Sequence, residues 1–164
     1  MKRLMTIGLI VAAAGLLIVE ELSAQASTNQ TVTVSVGEVY KIAVSGNPGA
    51  LSITEGVAGL NQLTSVSDNS TTYGITQNVA NTVKISAQLS AALPAGFTLR
   101  LQLASTKGTS AGLVDISSGS SVDVVTAIAR GADANQTVSY TFSATADAGT
   151  LAPTVRTVTL TLTN

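Results

Sequence analysis

Cysteine, histidine and tryptophan are all absent from the 164 residues, and three tyrosines and two phenylalanines are the only aromatics. Without histidine or cysteine there is no Ser-His-Asp or Cys-His nucleophile system, no thiolate chemistry, and none of the common zinc, copper or haem ligand sets. Without cysteine no disulfide can form, so the fold must hold by burial and backbone pairing, and a small stapled scaffold is disfavoured. Charge is also scarce: 8 Lys and Arg stand against 9 Asp and Glu, 10% of the chain, for a net charge of −1. Binding to nucleic acid needs clustered Lys or Arg to replace the counterions of phosphates, and a polybasic membrane patch needs the same. Neither cluster exists. The composition therefore leads to a non-catalytic protein with no cofactor, no metal and no nucleic-acid partner.

What is present begins with Met1-Lys2-Arg3, a short basic stretch, followed by an apolar run over residues 4–19. Ala24 and Ala26 then stand at the −3 and −1 positions of an A-x-A cleavage site. This pattern reads as a secretory signal peptide over residues 1–26, leaving a mature domain over 27–164. The competing reading, a retained membrane anchor, meets an apolar run shorter than the roughly 20 residues a spanning helix needs. A lipoprotein anchor is excluded for want of cysteine. A type IV pilin leader would be cut after Gly8 and would put an alanine where such pilins carry a glutamate. The expected location is secreted, extracellular or on the cell surface, with no membrane anchor after cleavage.

Beyond the leader the dominant signal is alternation of apolar and polar residues, the period of a half-buried strand. Residues 31–36 place Val32, Val34 and Val36 on one face and hydroxyls on the other. Residues 39–44 and 51–54 read as further strands, and 55–70 as a long irregular connection. Residues 73–76 and 83–89 read as a hairpin joined through 77–82. Pro94-Ala95-Gly96 forms a turn, because proline fixes φ and glycine accepts a positive one. A strongly alternating strand follows over 97–103. Residues 113–116 are weaker, 122–128 are compatible with strand or with a short helical turn, and 138–144 and 155–163 alternate again. The expectation is an all-β fold: a single Greek-key, immunoglobulin-like two-sheet sandwich of about eight to ten strands.

Few residues could carry chemistry. Asp115 and Asp123 flank a Ser-Gly loop, but the dense acidic ligation of a calcium loop is missing, and two solvated turn residues are the simpler reading. Lys41, Lys84 and Lys107 fall in no S-x-x-K motif. Tyr73, Tyr140, Phe97 and Phe142 lie in alternating strands and are expected in the core, whereas Tyr40 is out of phase and is the candidate for an exposed contact. The threonine rows at 31–33 and 157–163 are expected on wet faces.

The two ends of the mature chain carry a further pattern: Asn29 to Val36 as a polar leader and alternating strand, Glu38 to Val44 as an acidic turn and aliphatic strand, and Val155 to Thr163 as a closing alternating strand. In this the chain resembles the cysteine-free major pilins of the alpha-class, colonisation-factor fimbriae. The resemblance implies self-association by donor-strand complementation, in which the N-terminal segment of one subunit fills an apolar groove of the next by β-augmentation, with Val32, Val34 and Val36 as the groove-filling side chains. Such a head-to-tail contact propagates as a filament. The alternative is that residues 31–36 are the first strand of a self-contained, monomeric binding or adhesion module.

Overall fold

The computed structural model describes residues 25–164; the expected leader, apart from its last two residues, lies outside them. The chain divides into two units, Met1–Ser35 and Val36–Asn164. The second is all-β: β1 (Tyr40–Val44), β2 (Val66–Gln77), β3 (Val83–Leu89), β4 (Phe97–Leu103), β5 (Thr109–Ser110), β6 (Val114–Asp115), β7 (Val122–Ile128), β8 (Gly131–Ala144) and β9 (Val158–Thr163), with one 3-10 turn at Ala146–Ala148.

These strands form the expected two-sheet sandwich. One sheet has the order β1-β2-β8-β4-β6 and the other β5-β7-β3-β9, and every pairing is antiparallel. Alternation decides which side of each strand is buried. In β3, Val83, Ile85, Ala87 and Leu89 are buried while Lys84, Ser86 and Gln88 are not. In β4, Leu101 and Leu103 point inward beside Phe97. Tyr73, Ile75, Val124, Val125, Ile128, Val138 and Tyr140 complete the shared interior. The aromatics expected in the core are there, apart from Phe142, which is half-buried and stacks on Phe97 with ring centroids 6.3 Å apart.

The structure departs from the sequence-based expectation in four places. The first is the hairpin over 73–89: β2 and β3 belong to different sheets, and 78–82 is an arch between them. Val79 tucks into the core from this arch. Gln77, itself buried, accepts a hydrogen bond from the Val79 N–H at 2.9 Å and satisfies the turning backbone. From β2 onward every connection crosses from one sheet to the other. Second, residues 66–70, the end of the stretch expected to be irregular, open β2, which is held against β8 through a ladder with two irregularities. Third, residues 51–54 form no strand. Fourth, residues 31–36 carry neither helix nor strand. The ambiguous segment 122–128 is a strand, β7.

Candidate functional site

Among the described residues the acids and bases gather into no shared site. Asp115 lies in β6 of the first sheet and Asp123 in β7 of the second. Asp115 accepts the Ser117 N–H at 2.8 Å, and hydrogen bonds from Ser117 hold its carboxyl below the usual aspartate range. Asp123 forms a 3.0 Å surface ion pair with Lys84. Each acid therefore has a local structural partner. Among the described residues no group of three or more acidic side chains could hold a metal ion.

The densest polar cluster surrounds Asp133, which is only 2% exposed. Its carboxylate accepts hydrogen bonds from the Ser105 hydroxyl (2.8 Å), the Thr106 hydroxyl (2.7 Å) and the backbone N–H groups of Thr106 and Lys107 (2.9 and 3.2 Å). Tyr73 lies nearby and donates to the Ala104 carbonyl at 2.6 Å. Burial, assisted by the charge of Asp133, pushes the Tyr73 phenol up to about 12. The donors to the Asp133 carboxylate all belong to the 104–107 bend after β4, and Tyr73 of β2 ties the same bend through Ala104. The cluster fastens a loop.

Two open depressions of about 250 and 370 Å³ adjoin on the β1-β2-β8 surface. They share Ala43, Gly74 and Ala134, at the point where Gly74 faces an irregular stretch of β8. Lys41 and Asp133 also line the larger depression, and the Asp133 carboxylate is already bonded to the 104–107 bend.

The sheet edges are more distinctive. On one side of the sandwich the edge strands are β5 and β6, two residues each, over a fully buried Ile116, Val124 and Val125. Short edges of this kind resist pairing with another chain. The opposite side carries the long edges, β1 with five residues and β9 with six, lying next to each other across the sandwich. Among the described residues β1 pairs only with β2 and β9 only with β3. The inward residues along this seam, namely Tyr40 and Ile42 on β1 and Val158, Leu160 and Leu162 on β9, touch the core but are only half-buried. Proline, glycine, charge and bulges are the usual protections of an edge. β9, Val-Thr-Leu-Thr-Leu-Thr, has no proline, glycine or charge and keeps an unbroken register with β3. β1 has only Lys41.

The residues singled out from sequence sit as follows. Val32, Val34 and Val36 are 76%, 85% and 86% exposed. Tyr40 is half-buried, with its side of β1 packed on the core. The seam itself was not legible in the sequence, because edge position follows from strand order. The one available signal was the uncharged alternation of residues 158–163. Comparison with known proteins finds no match: no family model, no curated protein and no solved structure.

Proposed function

We propose that this chain is an exported structural subunit that assembles into an extracellular filament or surface layer, each copy giving its N-terminal segment to the next. The observation that carries this reading is the unprotected β9 edge, with Val158, Leu160 and Leu162 half-buried at every second position along the seam with β1. The same chain carries a segment of matching length and spacing, in which Val32, Val34 and Val36, all exposed, alternate with Thr31, Thr33 and Ser35. A donated strand in the seam would complete the β9 hydrogen-bond ladder and bury both aliphatic rows, main-chain bonds giving affinity and alternate side chains fixing register. Because the donor and acceptor surfaces differ, the contact is heterologous and propagates. The resemblance of the chain's two ends to alpha-class pilins agrees with this, as does a secretory leader before residue 27.

The test is assembly of the purified chain, followed by size-exclusion chromatography and negative-stain microscopy. Filaments or a ladder of oligomers are expected. A chain lacking residues 27–36 should remain acceptor-competent, stay unassembled, and bind a synthetic 27–36 peptide at one equivalent. A folded monomer that never associates at high concentration would instead favour a self-contained binding module.

A further inference from the structure

Asn78 binds the backbone of the residues that lead into β1. Its side-chain nitrogen donates to the Gly37 carbonyl at 2.8 Å, and its side-chain oxygen accepts the Val39 N–H at 2.7 Å. Its own N–H donates to the Val39 carbonyl at 3.3 Å. Asn78 directly follows β2, so these bonds prolong the β1–β2 ladder beyond its last pair, Tyr40 with Gln77.

Residues 37–39 are also the only hinge through which residues 31–36 could turn back onto their own β1. Ladder bonds alternate along an antiparallel pair. Val39 and Ser45 bond across to Asn78 and Thr72, so the amides of Tyr40, Ile42 and Val44 face the free edge. A loop of residues 37–39 would set Val36, Val34 and Val32 opposite Tyr40, Ile42 and Val44, with the valines inward. A loop one residue shorter would set them opposite Val39, Lys41 and Ala43 and turn them outward, because a one-residue slip exchanges the faces. Only the longer loop caps the seam within one chain. That loop requires Gly37 and Val39 to leave Asn78. It also puts Val39 where such loops commonly adopt a positive φ, which a β-branched residue resists.

We infer that Asn78 is a positioning residue that prevents the chain from capping its own β1 edge, keeping residues 31–36 available to a second copy. The inference rests on the filament reading for its purpose, and its test is separable from it. Amide hydrogen exchange is measured on the purified chain, dilute enough to be monomeric, for the wild type, for Val39→Gly, and for Val39→Gly combined with Asn78→Ala. In the wild type and in Val39→Gly, the amides of Tyr40, Ile42 and Val44 should exchange rapidly. In the double variant they should be protected on the order of tenfold or more, the scale of the two side-chain hydrogen bonds removed, and assembly should slow. Continued protection of the Ile85 and Leu101 amides reports that the fold is kept, and Asn78→Ser replaces Asn78→Ala if it is not. The inference is overturned if the three edge amides are already protected in the wild type, if Val39→Gly alone protects them as well as the double variant, or if the double variant leaves them unprotected. A wild-type chain that never assembles removes the filament reading, while the exchange comparison still decides the role of Asn78.

Discussion

The hydroxyl of Thr106 donates a 2.7 Å hydrogen bond to the carboxylate of Asp133, joining the loop after β4 to the start of β8. With Ser105 and two backbone N–H groups on the same carboxylate, Asp133→Ala strands several buried donors. A loss of about 2–4 kcal/mol in chemical denaturation is expected. Burial alone would raise the Asp133 pKa, but the hydrogen bonds from Thr106, Ser105 and Lys107 outweigh it and set the folded value below the ordinary 3.8. A depressed folded pKa contributes stability that is complete above the unfolded value and is lost as pH falls through the folded one. Melting temperature should therefore drop on acidification below about pH 4, and Asp133→Asn should show a shallower drop from a lower starting point.

Tyr73 has the opposite sign. Its phenol is raised from 10.0 to about 12, so its contribution is complete below pH 10 and disappears as pH rises toward 12. Tyr73→Phe loses the hydrogen bond to Ala104 and should cost about 1 kcal/mol at neutral pH. The variant should also lose part of the alkaline fall in stability, which a melting series from pH 8 to 12 would reveal.

Gly96 occupies φ +85°, and a side chain there would meet Ala148 Cβ, with Thr145 Oγ1 at 2.9 Å. Both backbone and space oppose substitution, so Gly96→Ala should destabilise by at least about 2 kcal/mol. Equal stability of this variant in urea would show that the turn relaxes freely.

Val34 is 85% exposed, so Val34→Asp should leave monomer stability within about 0.5 kcal/mol. It should nevertheless abolish assembly, because a carboxylate in a completed seam would be buried without a partner. Thr33→Asp, on the hydroxyl face, should assemble far better. Equal loss by both would argue that charge in the segment matters rather than the valine row.

Residue order alone determined that the fold is all-β, where β1, β3, β4 and β9 run, and that Gly96 closes a turn. Each of these is a local property: period-2 burial writes itself into adjacent residues, and a positive φ selects glycine. The first half of β2 was illegible because Val-Ser-Asp-Asn-Ser-Thr-Thr does not alternate; pairing with β8 makes it a strand. Only the tertiary structure decided that 78–82 is an arch rather than a hairpin loop, since a short link can join neighbours in one sheet or cross to the other. It also decided that β1 and β9 are the long open edges on one side, and that Asn78 reaches Gly37 and Val39 from far along the chain. Edges and clamps arise from the order in which strands pack, and a one-dimensional pattern of burial carries no record of that order.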